Sequence, residues 1–177
     1  MKKLTAALLA LTLILTGAMT VLAEENTANL AGGIQFNMDM TQVQELVNLP
    51  GGETEQEYRG TTEFWELEYE NVVGADGFTG DIKYLFVGNC LVAIHIDMAD
   101  GTSYDSVKES LTATYGEAVP FDAAKIGNAR FVIDDDGDLK DCREMIETEF
   151  VTVVLEQDRE GDVDVTFFDP TAAYINN

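Results

Sequence analysis

A run of acids, "DDDGD" at Asp134 to Asp138, has the clearest potential for chemistry in this chain. Calcium loops place carboxylates at alternate positions, and Asp134, Asp136 and Asp138 have that alternation. The same loops carry a glycine at the sixth position and a bidentate acid at the twelfth, where this chain has Leu139 and Met145. The spacing therefore predicts no more than a weak calcium site, and a solvated acidic loop is the simpler alternative. We predict no other cofactor.

Hydrolytic chemistry has less support than calcium binding. His95 is the only histidine, and no Gly-x-Ser-x-Gly motif accompanies it. Glycosidases need two carboxylates in different environments, and 33 acids make some close pair unavoidable. However, Glu66 and Glu68, like Asp162 and Asp164, alternate as solvated acids on a strand would. We therefore predict a protein that is not an enzyme, with a small carboxylate-dependent hydrolase as an alternative.

The chain has two cysteines, Cys90 and Cys142. A disulfide between them would close a loop of about 50 residues and would stabilise the fold by about 4 kcal/mol. Two independent free thiols are the alternative, because the sequence alone does not show whether the two side chains meet.

The N-terminus has the pattern of a removable secretory signal over residues 1–23. Lys2 and Lys3 precede the apolar run "LTAALLALTLILT", and small residues follow up to Ala23. We expect cleavage there, a flexible lead-in over 24–33, and a secreted chain with no membrane insertion after cleavage. Ala18 stands where a lipobox would need cysteine, so the sequence predicts no lipid anchor.

The charge of the chain limits its partners. Removing Lys2 and Lys3 from a formal net charge of −23 leaves −25. Such a surface repels phosphate backbones and anionic headgroups, which excludes nucleic acid as a partner. It favours basic partners or divalent cations, although a solvated coat that keeps the protein soluble is the simpler explanation.

Two stretches predict amphipathic helices in similar settings. In "DMTQVQELVNLPGG", Asp39 is the predicted N-cap, and Val43 and Val47 share one face. In "SYDSVKESLTATYG", Val107 and Leu111 share one face before a glycine. One constant offset of 64 residues superimposes the two pairs, which indicates a duplicated pattern. Chance similarity between two amphipathic helices is the alternative.

Each predicted helix is followed by a lone strand and then by a hairpin. The strands are "FWELEYE", then two runs joined at Gly88 and Asn89; after the second helix they are "ARFVID", then "FVTVVLEQ" and "DVDVTFFD". We predict an α+β fold, an antiparallel sheet with helices on one face. Two helix-plus-three-strand units, 34–100 and 101–170, would lie in tandem within a single domain of residues 34–177.

The stretch "IQFNMDMTQVQEL", with "YDSVKESLTATYGEA" later, resembles exported bacterial modules of the β-lactamase inhibitor protein type. It is also similar to small outer-membrane assembly lipoproteins of the same broad fold. The matching positions are Phe36, Met38, Val43, and Pro50 with Gly51. In those families, tandem helix-and-sheet units form a concave face that grips another protein. The resemblance implies a protein-binding module. We expect its partner to be another extracellular protein, and the negative charge of this chain favours a basic one.

Overall fold

Eight antiparallel strands form one sheet in the part of the chain that the computed structural model describes, residues 33–73, 79–134 and 137–172. The strands are β1 (Glu53–Arg59), β2 (Thr62–Val73), β3 (Thr79–Val87), β4 (Cys90–Met98), β5 (Val119–Pro120), β6 (Cys142–Glu147), β7 (Thr152–Gln157) and β8 (Val163–Phe168). Their order across the sheet is β1-β2-β3-β4-β8-β7-β6-β5. The predicted signal and nearly all of the predicted lead-in lie outside the described residues.

Within the described ranges, the sheet is accompanied by three helices: α1 (Met40–Val47), α2 (Tyr104–Tyr115) and the single turn α3 (Arg130–Ile133). Two 3₁₀ turns, Ala123–Lys125 and Gly127–Ala129, lead into α3. The α+β prediction is thus confirmed. Within the described residues, no helix combines the length and the apolar character that crossing a membrane would require.

The local signals at the helix ends and the hairpins correspond to the structure. Asp39 and Gln42 form a capping box at the start of α1, in which each side chain accepts a hydrogen bond from the other residue's backbone N–H. Ser103 caps α2, and Gly116 follows its last residue. Gly88 and Asn89 join β3 to β4 with positive φ angles of 57° and 66°, as a tight hairpin turn requires.

The number of strands in each unit was predicted incorrectly. Each of the two long helices is followed by four strands: β1 was missed in the first set, and the two-residue β5 and β6 were missed in the second. In β1, "ETEQEYR", most side chains are exposed, so this edge strand lacks the hydrophobic alternation that marks a half-buried strand.

The segment "ARFVID" was predicted as a strand but forms the helical turn α3. Val132 and Ile133 are adjacent in sequence and both buried in the same cluster. A strand would place adjacent side chains on opposite faces, whereas a helical turn can direct both of them toward one surface.

The two faces of the sheet bury separate apolar clusters. On the first face, Leu67, Phe86 and Leu155 pack with Val43 of α1 and Val107 of α2. On the second face, Phe64, Leu85 and Val154, among others, pack with Val132 and Ile133 of α3. The two long helices therefore contribute to one cluster and the short α3 to the other.

The turn α3 is attached to the hairpin that joins β1 to β2. The ring of Phe131 lies against Gly60, so close that a Cβ atom added there would lie 2.9 Å from the ring. Arg59 Nη1 donates a hydrogen bond of 3.1 Å to the Phe131 carbonyl. These contacts fix α3 over one end of the second face and leave the other end to polar side chains.

Candidate functional site

Beside the apolar cluster of the second face, carboxylates stand next to one another on four adjacent strands. Asp81 of β3, Asp97 of β4, Asp164 of β8 and Glu156 of β7 are successive register partners across the sheet. We call these four residues the carboxylate row. Cys142 of β6 continues the line as the register partner of Glu156.

Burial and neighbouring carboxylates raise the pKa of Asp97, Asp164 and Glu156 in this row. Burial, followed by the charge of Asp97, raises the pKa of Asp164 to about 7. Burial and the charge of Asp81 also raise the pKa of Asp97, while a hydrogen bond with Asp164 opposes that rise. These pKa shifts are explained if Asp164 keeps its proton and donates a hydrogen bond to the ionised Asp97 carboxylate.

Glu156 is the most buried member of the carboxylate row, with 8% of its surface exposed. Burial, and then the charge of Asp164, raise its pKa to about 8. Its Oε1 atom is buried and has no hydrogen-bond partner among the described residues. A buried oxygen without a donor is costly, so this atom is ready to accept a hydrogen bond from a ligand.

Next to the carboxylate row, a second row of register partners contains the basic side chains Lys83 and His95. Lys83 of β3, His95 of β4 and Thr166 of β8 are successive register partners. His95 Nδ1 lies 3.0 Å from Thr166 Oγ1. Burial, and then the charges of Lys83 and Arg59, lower the pKa of His95 to about 4, so the ring is neutral at physiological pH.

Arg59 closes the β1 side of this surface. Only 5% of its surface is exposed, and its guanidinium pairs with Glu57 and with the buried Glu66. Burial and a hydrogen bond with Glu57 raise the pKa of Glu66. Burial alone would raise the pKa of Glu57 as well, but the hydrogen bond from Glu66 and the charge of Arg59 hold it below its usual range.

A cavity of about 310 Å³ lies among these groups. It is lined by Arg59, Lys83, His95, Ile133, Asp134, Glu156 and Asp164. Its walls therefore combine cations, acids and a neutral imidazole, which suits a polar ligand. A proton-sharing acid pair at its margin is also the arrangement that aspartic hydrolases use.

The acidic loop predicted to bind calcium lies partly beside this cavity, and Asp136 falls outside the described residues. Asp134 Oδ1 accepts a 3.0 Å hydrogen bond from the Asp138 backbone N–H. The Asp138 carboxylate pairs with Lys140 at 2.9 Å. Among the described residues, no group of three or more His, Cys, Asp or Glu side chains is placed to hold a metal ion.

Cys90 and Cys142 are both free thiols in the described part of the chain. They begin β4 and β6, which are separated by β8 and β7 in the sheet. Burial, and then the charge of Glu156, raise the pKa of the Cys142 thiol.

Several groups at this site were missed or misassigned from the sequence. Glu66 was predicted to be solvated but is buried against Arg59, an arginine among the glutamates of β1. Glu156 follows an apolar run, "VTVVL", whose side chains are buried on both faces of the sheet. An acid inside such a strand is a usable signal of burial, and it was not used.

A second feature lies on the first face of the sheet, where α1 and α2 leave β1 and the start of β2 uncovered. Tyr58 is 68% exposed and Trp65 is 40% exposed. Between them Glu63 accepts hydrogen bonds from the Tyr58 hydroxyl, at 3.2 Å, and from Gln56 Nε2, at 2.8 Å. We call Gln56, Tyr58, Glu63 and Trp65 the aromatic patch.

No protein-family model matches this chain, and no curated protein or solved structure is significantly similar to it.

Proposed function

We propose that the protein is a secreted, non-enzymatic binding module that holds a basic segment of another protein against the aromatic patch. The observation that carries this proposal is the exposure of Tyr58 and Trp65 on ordered neighbouring strands. Tyrosine and tryptophan dominate the energetics of protein interfaces because they bury a large area at a small loss of conformational entropy.

Glu63 supports this role because it fixes the patch before any partner arrives. Its two carboxylate oxygens hold Tyr58 and Gln56 by hydrogen bonds, and its charge raises the pKa of the Tyr58 hydroxyl. A side chain that is already ordered loses less freedom on binding, which favours affinity.

The charge around the patch selects the partner. Glu53 and Glu55 of β1 are exposed, and β1 forms one edge of the sheet as described. Their side chains alternate with those of Gln56 and Tyr58 and so lie on the other face of β1. An extended segment paired along this edge would nevertheless meet them with one set of side chains and Glu63 with the other. Lysine or arginine side chains would complement them, and the association should weaken with salt because such contacts are exposed.

A retention experiment tests the proposal. The immobilised protein and its Tyr58→Ser/Trp65→Ser variant are incubated with the secreted proteins of the producing culture, and retained proteins are quantified at low and high salt. Val73→Ser is the matched control, because Val73 is 67% exposed but lies outside the patch. We expect one or more secreted proteins to be retained at low salt by both the wild type and the control, and to be lost by the patch variant. Equal retention by all three would reject the proposal.

A carboxylate-dependent hydrolase is the second candidate, and one observation favours it. Asp97 and Asp164 share a hydrogen bond, and Asp164 lines the cavity. Such a pair can activate water when one member is ionised. A screen of chromogenic esters, glycosides and peptides from pH 4 to pH 8 tests this candidate. The hydrolase is supported if the wild type turns over a substrate, if Asp97→Asn and Asp164→Asn each abolish that turnover, and if Asp81→Asn retains it.

A further inference from the structure

The cavity on the second face has its charges separated by strand. Lys83 of β3 lies on one side, and Asp164 of β8 and Glu156 of β7 lie on the other. His95 of β4 stands between them. Because the strand order here is β3-β4-β8-β7, the cavity runs from a cation past an imidazole to two acids.

The charges at the two ends do not neutralise each other directly. Neighbouring strands lie about 4.8 Å apart and successive residues about 3.4 Å apart. Asp164 is two strands from Lys83 and two residues along β8 from its opposite position, so the two backbones are about 12 Å apart. His95 keeps this gap uncharged, since its pKa is lowered to about 4 by burial and by the charges of Lys83 and Arg59. A ligand that joins the two ends must therefore carry its own separated charges.

Lys83 is the available cation of this cavity. Its ammonium lies 3.8 Å from Glu68 Oε1, and both side chains are about a third exposed, so the pair is weak. Arg59, by contrast, is held by Glu57, Glu66 and the Phe131 carbonyl. A carboxylate entering the cavity would find Lys83 free to turn toward it.

The acidic end offers an acceptor that lacks a donor. Glu156 is more than nine-tenths buried and lines the cavity, and its Oε1 has no hydrogen-bond partner among the described residues. An ammonium group has three N–H donors and would satisfy this oxygen, and its positive charge would favour the ionised forms of Glu156 and Asp164.

We propose that this cavity binds a small zwitterion, an ω-amino carboxylate whose carboxylate contacts Lys83 and whose ammonium contacts Glu156 and Asp164. The volume of about 310 Å³ is at the lower end of the range for small-molecule sites, which suits a single amino-acid-sized ligand. The aromatic patch lies on the opposite face of the sheet, so this inference does not depend on the proposed function.

Titration with a graded series of ligands on the wild-type protein tests the site. The probes are glycine, β-alanine, γ-aminobutyrate and ε-aminocaproate, followed by amide chemical shifts. Pentylamine and caproate each carry one of the two charges of ε-aminocaproate. We expect one of the longer zwitterions to bind about tenfold more tightly than either single-charge analogue. Shifts at Lys83, His95 and Glu156 would locate it.

Two variants separate the ends of the ligand. Lys83→Met should weaken zwitterion binding about tenfold without changing pentylamine binding, and Glu156→Gln should weaken it without changing caproate binding. Lys108→Met is the matched control, because Lys108 lies on α2, pairs with Glu144 of β6 and does not line the cavity.

Binding should also release a proton at pH 7. Glu156 is then largely protonated, since burial and the charge of Asp164 raise its pKa to about 8; Asp134 and Asp141 add to that shift, and a hydrogen bond with Cys142 opposes it. Calorimetry in buffers of different ionisation enthalpy measures that proton. The proposal is overturned if no zwitterion shifts the cavity amides at about 10 mM, or if amines alone bind as tightly.

Discussion

Asp97 of β4 and Asp164 of β8 are register partners at the centre of the sheet, and their carboxyl groups share a hydrogen bond. Asp81, Glu156, Asp158 and Asp162 add negative charge around the pair. The pair is therefore held together by a proton rather than by a cation, and its stability depends on pH.

The first prediction concerns that dependence. Folding raises the pKa of Asp164 to about 7 and that of Glu156 to about 8, so the folded state binds protons that the unfolded state has already released. Their contribution is complete below about pH 4 and is lost as the pH rises through 7 and 8. The free energy of unfolding should thus increase by about 2 kcal/mol from pH 8 to pH 6.5.

Urea denaturation at several pH values measures this change. Asp164→Asn keeps a donor for Asp97 without a titrating proton, so it should be more stable than wild type at pH 8 and show a smaller slope. Glu109→Gln, at an exposed position of α2, is the control. Below pH 6.5 His95 acts in the opposite direction, because its pKa is lowered on folding. Equal slopes for wild type and Asp164→Asn would contradict the assignment.

The second prediction concerns the buried ion pair of Arg59. Arg59→Met leaves Glu57 and Glu66 without their cation, and removing one partner of a buried pair typically costs about 3–5 kcal/mol. Thermal and urea unfolding measure the loss. Lys140→Met, in an exposed pair with Asp138, should change stability by less than about 1 kcal/mol. A double variant, Arg59→Met/Glu66→Leu, should recover part of the loss.

The third prediction concerns the cysteines. Mass spectrometry without reductant should show two free thiols, and a mass lower by two hydrogens would instead support the disulfide. Because its thiol pKa is raised by burial and by Glu156, Cys142 should react slowly with iodoacetamide at pH 8. Glu156→Gln removes that charge and should accelerate the reaction of Cys142 but not that of Cys90.

The fourth prediction concerns calcium at the acidic loop. Asp138 is paired with Lys140 and Asp134 accepts a backbone hydrogen bond, so calcium must displace existing contacts. We expect calorimetry to give a dissociation constant no tighter than about 1 mM. Lys140→Met frees Asp138 and should strengthen binding. Micromolar affinity in the wild type would show that the loop rearranges into a dedicated site.

The features predicted correctly from the sequence are local ones. The N-cap at Asp39 and the Gly88–Asn89 turn are each decided by near neighbours in the sequence. β1 and α3 were missed for the complementary reason. Their conformation depends on pairing with β2 and on packing against the sheet, which no short window of sequence contains.

The polar site shows the same limit more strongly. Asp97 and Asp164 are 67 positions apart, and the alternation around each is what a solvated strand would also show. Glu66 is buried beside Arg59, which the pairing of β1 with β2 brings to it. The residue types were visible in the sequence, but their juxtaposition depends on the strand order.

The order in which the strands emerge has a consequence for how the chain reaches its native state. The first four strands and the last four are joined by a single described strand pair, β4 with β8, whose partners are about 70 residues apart. Closing so long a loop is entropically unfavourable and slow, whereas each hairpin forms from neighbours. During synthesis β4 is therefore complete long before β8. Its edge stays open until then, and because the strand contains the apolar residues Leu91, Val92 and Ile94, nascent chains can aggregate there.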